Sequence, residues 1–236
     1  MTAEKIKQQL LAFGNPSKAE HAKYFFKTGR GQYGEGDLFM GCTVPETRSV
    51  AKNFRHTPLI ELEKLLNDDI HECRLCALVI LVSQFQKADD LARSEIVDFY
   101  LAHTHRINNW DLVDLSCYHI IGAWLEEKTD RSLLYRLAES DLLWDQRIAV
   151  VSTLTFIRNN DFTDILKLSE LFLTHKHDLM HKACGWMLRE TGKRNEATLT
   201  GFLDRHYQSM PRTMLRYAIE RLSPAQKLQY MTRQEK

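Results

Sequence analysis

One short segment has the residue types and spacing for chemistry. In Asn108-Asn109-Trp110-Asp111-Leu112-Val113-Asp114, an indole and a carboxylate stand four positions apart. Asn109 is a good helix N-cap, and Val113, Cys117, Ile120, Ile121 and Trp124 follow as an apolar stripe. At about 100° per residue, Trp110 and Asp114 lie about 40° apart around the helix, with Asp114 at the stripe's rim. One turn in, Asp114 feels the positive end of the helix dipole, which favours its ionised form. A fixed carboxylate beside an indole suits a cationic or electron-poor group. The same residues also arise without chemistry, because aspartates favour first turns and tryptophans pack.

The elements that must position this segment are helices arranged as repeats. Apolar residues recur at helical spacing almost everywhere after the first forty residues. Pro58 opens one helix, with Thr57 as its expected cap, and a second runs from about Cys73. Arg74-Leu75-Cys76-Ala77 is echoed at Arg147, Lys182 and Arg216, at intervals of 73, 35 and 34 residues. The midpoint of the longer interval falls at Asp111. The pattern predicts five helix pairs of about 35 residues, the first members covering 90–101, 131–138, 165–174 and 196–203 in the later units. Such a unit cannot bury its apolar face alone, so neighbours must stack. The expected fold is all-α, an α-solenoid of HEAT or armadillo kind, curved, with the second helices along one side. In that stack Arg147 and Trp186 hold nearly equivalent places to Asp114 and Trp110. Two indoles, a carboxylate and an arginine on one concave face would clamp a sugar and its phosphate.

Other candidates carry less. Cys73 and Cys76 form C-x-x-C without a second pair, inside an apolar helical segment, and read as buried structural thiols. His175, His177 and His181 contain an i,i+4 pair but no H-E-x-x-H, and read as a helix start. The segment from Gly29 to Asp37 packs glycines into a loop after helices over 3–13 and 17–26, but lacks the Walker lysine. A helix over 46–54 follows it. No metal or cofactor is expected.

Composition sets the outer bounds. Hydrophobic residues are 44% and charged residues 27%, an ordinary globular balance. Ten glycines and five prolines in 236 residues are too few for an all-β fold. No apolar run reaches the roughly 18 residues of a membrane span, and no secretory signal leads the chain, so a soluble cytosolic protein is expected. The formal net charge is only +1, so any polyanion must meet segregated cations; Arg30, Arg48, Lys52, Arg147, Lys182 and Arg189 are the candidates.

Five motifs in order carry a family resemblance: Phe25-Phe26-Lys27-Thr28-Gly29, Tyr33-Gly34-Glu35-Gly36-Asp37, Trp110-Asp111-Leu112-Val113-Asp114, Trp144-Asp145-Gln146-Arg147 and Cys184-Gly185-Trp186-Met187-Leu188-Arg189-Glu190. From about Ser17 to Leu222 the chain resembles the AlkD-like DNA alkylation-repair glycosylases, which are built of HEAT-like repeats. The resemblance implies excision of cationic N-alkylated purines, such as 7-methylguanine and 3-methyladenine, from duplex DNA without a deep base-flipping pocket. By position it makes Asp114 the catalytic carboxylate, sets Trp110 and Trp186 against the sugar at the lesion, and puts Arg147 on backbone phosphate. The chain departs from the pattern at Gly41-Cys42-Thr43-Val44-Pro45, where relatives often place a longer polar residue facing DNA. A single helical-repeat domain is expected over 1–236, with N-terminal helices and loop in 1–56, repeats in about 57–222 and a tail in 223–236. The expected state is a monomer. Two other readings share these features: a silent relative that binds bent or branched DNA, and a protein-binding scaffold.

Overall fold

The computed structural model describes residues 1–232. Helices dominate, and among the described residues there is no strand, only an isolated parallel bridge between Leu38 and Ile70. No helix among them is long and apolar enough to cross a membrane. The chain forms two compact units, Met1–Ile120 and Ile121–Lys236.

The first unit is built around one helix. Its elements are α1 (Ala3–Leu11), α2 (Pro16–Phe25), α3 (Val44–Asn53), α4 (Leu59–Leu66), α5 (His71–Phe85), α6 (Asp90–Ala102) and α7 (Trp110–Cys117). Every residue from His71 to Leu78 is buried, so α5 is covered on all sides, as expected of a core helix. It packs against α3, α4, α6 and α7. Leu62, Leu65 and Leu66 of α4 are also sequestered, and each buried leucine contributes about 1.5–3 kcal/mol before ordering costs. Thr57 does not cap α4. Its hydroxyl donates to Phe54 O at 2.7 Å, closing the turn after α3, because Pro58 already supplies the extended N-cap backbone.

A π-helical turn, Tyr118–Gly122, follows α7 and contains the boundary between the units. The second unit holds α8 (Ala123–Glu126), α9 (Ser132–Ala138), α10 (Leu143–Ser152), α11 (Leu154–Arg158), α12 (Thr163–Leu171), α13 (Asp178–Arg194), α14 (Glu196–His206), α15 (Arg212–Ala218) and α16 (Pro224–Met231). The long α13 is central, packing against α10, α12, α14 and α15. A Cβ on Gly185 would lie 2.5 Å from both Met214 O and Tyr217 Cβ, so this glycine lets α15 close on α13. In each unit the second helices of successive repeats stack on one another, α3–α5–α7 and α10–α13–α15, with first helices packed beside them. That is the α-solenoid pattern. The segment 223–236 contains α16, and its last four residues lie outside the described ones.

Candidate active site

In the first unit the start of α7 is fixed by two devices. Asn109 is fully buried and accepts the Trp110 N–H at 2.9 Å through its side-chain oxygen. Behind it, His71 Nε2 meets Asp111 Oδ2 at 2.8 Å, while His71 Nδ1 meets Asp37 Oδ2 at 3.2 Å. Arg74 closes the cluster by donating to Asp37 Oδ1 at 2.6 Å and to Asp68 O at 2.8 Å. These are two carboxylates against a guanidinium and an imidazole. Burial opposes a charge on His71, yet the Asp111 carboxylate and the two hydrogen bonds outweigh it and push the imidazole up to about 9. Burial likewise opposes ionisation of Asp37, but His71 and Arg74 hold its carboxyl below the usual range. With His71 charged, the cluster is neutral and its ions are paired, which is what a buried ionic group requires.

The glycine-rich loop delivers Asp37 to this cluster. Leu38 N–H donates to Asp69 O at 3.1 Å and His71 N–H donates to Leu38 O at 2.8 Å, pinning the end of the loop to the start of α5. Glu72 then fixes the next turn, accepting N–H groups of Met40, Gly41 and Cys42 at 2.8–3.2 Å. Gly41 has φ of +81°, and a Cβ there would lie 2.1 Å from Asn15 O, so only glycine fits.

An aromatic layer lies over the cluster. Phe26 stacks on Trp110 with centroids 5.6 Å apart and on Phe39 at 5.3 Å, and Phe39 stacks on His71 at 5.0 Å. Phe25, 53% exposed, meets Trp110 edge-on at 5.9 Å. Trp110 is therefore held by rings behind and a cap beneath. Trp110 and Asp114 are both half-buried on α7, one turn apart. This is the juxtaposition that helical spacing predicts.

Two openings flank these elements. A cavity of about 490 Å³ is lined by Phe26, Phe39, His71, Asp111, Thr43 and Lys18, among others. A groove of about 440 Å³ between α3, α5 and α7 is lined by Arg48, Lys52, Arg55, Lys87 and His119. The predicted cations Arg48 and Lys52 thus share one groove, joined by Arg55 and Lys87, and no carboxylate lines it. Arg30 is exposed on the glycine-rich loop.

The second unit places its predicted residues differently. Arg147, on α10, is only 4% exposed and donates to Leu179 O in the first turn of α13 at 2.6 Å. Trp186 is half-buried on α13. Lys182 is paired with Asp178 at 2.7 Å, and Arg189 with Glu220. These two cations are held by acids of their own unit rather than presented bare. The histidines form a helix start: His177 Nδ1 accepts the Leu179 N–H, His175 Nδ1 accepts the His177 N–H, and His181 Nε2 meets His175 O. Burial, with the neighbouring imidazoles and other cations, lowers the pKa of His175 and His177. Among the described residues no three His, Cys, Asp or Glu side chains cluster to hold a metal. All five cysteines are buried, and none is in a disulfide.

The family model described as DNA alkylation repair enzyme matches residues 6–222, nearly the whole chain. The chain belongs to the DNA alkylation repair enzyme family. No curated protein matches. Among solved structures, a protein from Enterococcus faecalis described as a predicted DNA alkylation repair enzyme is similar at a TM-score of 0.70 and 17% identity, covering 89% of this chain and 97% of that one. That likeness shows the shared fold. As a member of the family, the chain has a role in repairing alkylation damage, with DNA as its partner.

Sequence reasoning missed the Asp37–His71–Asp111 cluster that anchors the start of α7. The available signals were an aspartate ending the glycine-rich loop and a second carboxylate between Trp110 and Asp114. Neither carboxylate points to its partner, which lies 34 or 40 positions away.

Proposed function

We propose that this chain is a DNA glycosylase that hydrolyses the N-glycosidic bond of cationic N-alkylated purines, such as 7-methylguanine and 3-methyladenine, in duplex DNA. The supporting observation is the pairing of Asp114 with Trp110 on one half-buried face of α7, held at its N-terminus by a buried, charge-balanced cluster. Alkylation puts positive charge on the base, so the base leaves as a neutral purine and needs no acid. The C1′–N bond breaks, its electron pair goes to the purine nitrogen, and positive charge builds on the deoxyribose as in glycoside hydrolysis. In this reading the Asp114 carboxylate faces that charge, an effect worth a few kcal/mol for one preorganised group. Water then attacks C1′, and its proton leaves through Asp114 to solvent.

In the same reading Trp110 lies against the sugar and the Arg48–Lys52 groove meets backbone phosphates, while Trp186 and Arg147 are the second unit's own expected sugar and phosphate contacts. Arg30 is a further expected phosphate contact, and Lys182 and Arg189 join it only on giving up Asp178 and Glu220. The two units act as one DNA-binding domain, monomeric and cytosolic, without cofactor or metal. Cleavage needs no deep pocket to activate the base, because the leaving group carries its own charge. Incubation with N-methylated duplex, followed by chromatography of the freed bases, tests the reading. It expects 7-methylguanine and 3-methyladenine in the supernatant but little uracil or hypoxanthine from duplexes carrying those. Tight duplex binding with no base release would contradict it.

A further inference from the structure

The glycine-rich loop between α2 and α3 does more than deliver Asp37. Residues 27–34 form a closed excursion, because the Gly34 N–H donates to Lys27 O at 3.1 Å. Both of its roots lie against the Trp110 end of α7. On the way in, Phe25 and Phe26 contact the indole with centroids 5.9 and 5.6 Å away. On the way out, Gly34 runs so close to Asn109, the α7 cap, that an added Cβ would lie 3.5 Å from its Nδ2. The loop therefore leaves the protein at the edge of the Trp110–Asp114 face.

Its tip is ordered, slim and cationic. The Gly29 N–H donates to Gln32 Oε1 at 2.9 Å, and the Gln32 N–H donates back to Gly29 O at 3.0 Å. Residues 29–32 are all exposed, so Arg30 stands between two residues that have no side chain. Gly31 is explained by its φ of +76°. Gly29 is not required by the fold, since a Cβ there would meet only the flexible end of Gln32. Such a glycine suits close approach of the backbone to a ligand. The excursion and its return carry three charges. Glu35 turns its carboxylate onto the Gly31 N–H at 2.7 Å, Lys27 lies over the Tyr24 ring, and Arg30 is the cation at the tip.

In the glycosylase reading no deep pocket takes the base, so Asp114 must reach C1′ from the minor groove, the side on which both glycosidic bonds of a pair lie. What flanks Trp110 then flanks that groove. The groove is only about 6 Å wide, room for a backbone without side chains and one extended arginine. Its negative potential draws guanidinium groups in. We infer that the 29–32 tip enters the minor groove beside the damaged nucleotide, with Arg30 at the base-edge acceptors N3 of adenine and O2 of thymine. The inference rests on the reading that Asp114 meets C1′ in alkylated duplex. It deepens the phosphate contact expected of Arg30 into one between the two phosphate rows.

The test uses the full chain and two duplexes, each with a single tetrahydrofuran abasic analogue set among A·T pairs. In the second duplex the flanking adenines are replaced by 2,6-diaminopurine. Its added amino group fills the minor groove and leaves the phosphates and the major-groove edge unchanged. By anisotropy, wild type is expected to have a Kd roughly fivefold or more higher on the diaminopurine duplex, the scale of losing one base-edge contact. Arg30→Ala should bind both duplexes equally, about as tightly as wild type binds the diaminopurine one. Gly29→Val, which thickens the exposed tip but keeps Arg30, should also bind the two equally. With 7-methylguanine still released from methylated duplex, equal binding of the two duplexes by wild type would overturn the inference alone. So would a difference that survives in either variant. Failure of wild type both to bind and to release base would overturn the glycosylase reading and the loop's role together.

Discussion

His71 Nε2 lies 2.8 Å from Asp111 Oδ2, joining the first turn of α5 to the first turn of α7, forty positions away in sequence. The bond is part-buried, the imidazole stacks beneath Phe39, and Asp37 holds its other nitrogen. The helix that carries Trp110 and Asp114 is thus aimed by a charge pair and not by apolar packing alone.

That pairing makes stability depend on pH. Folding raises the His71 pKa from the model-peptide 6.5 to about 9, so its contribution is complete below pH 6.5 and is lost as pH climbs through 9. Denaturant titrations at pH 6 and pH 9.5 are expected to show wild type losing on the order of 2–3 kcal/mol more than His71→Gln. Equal losses in the two proteins would mean that His71 is not charged in the fold.

Arg147 is predicted to have a double effect. Because it is 4% exposed and donates to Leu179 O, Arg147→Ala removes a buried hydrogen bond and should lower Tm by several degrees. If it also meets phosphate, the slope of log K against log salt falls by about one charge. A lowered Tm with an unchanged slope would leave Arg147 a purely structural residue.

Gly185 is predicted to be irreplaceable by a larger residue. An added Cβ meets Met214 O and Tyr217 Cβ at 2.5 Å, and one of those contacts is backbone. Gly185→Ala should therefore cost about 1–3 kcal/mol, the range for overpacking. Calorimetry showing no change in Tm would contradict the close packing of α13 on α15.

The thiols are predicted to be inert. Burial pushes Cys76 and Cys184 up to about 12 and raises Cys42 and Cys73 as well. A thiol-reactive dye should label the native chain slowly and the denatured chain at all five cysteines. Rapid labelling of one native thiol would point to an open site.

What the sequence made legible is what short-range physics controls. Asn109 caps α7, and the stripe from Val113 to Ile121 is buried, because both depend on residues within a few positions. The repeat interval located the paired helices for the same reason: each must bury one apolar face. Long-range partners were hidden. Arg147 reads as a surface cation, but its guanidinium reaches a carbonyl thirty-two positions on. Asp111 enters the sequence reading only as the midpoint of a repeat interval, but it is half of an ion pair with α5. Lys182 lies between these cases: its i,i+4 partner Asp178 was visible in the sequence, but nothing there showed the pair formed.

In the proposed glycosylase reaction the Asp114 carboxylate carries the chemistry, and its isosteric replacement tests that most directly. Single-turnover release of 7-methylguanine from methylated duplex should fall by roughly 100-fold or more in Asp114→Asn, the scale of losing one preorganised charge, with duplex affinity held within roughly twofold. Release at the wild-type rate by a folded, DNA-bound Asp114→Asn would contradict the account.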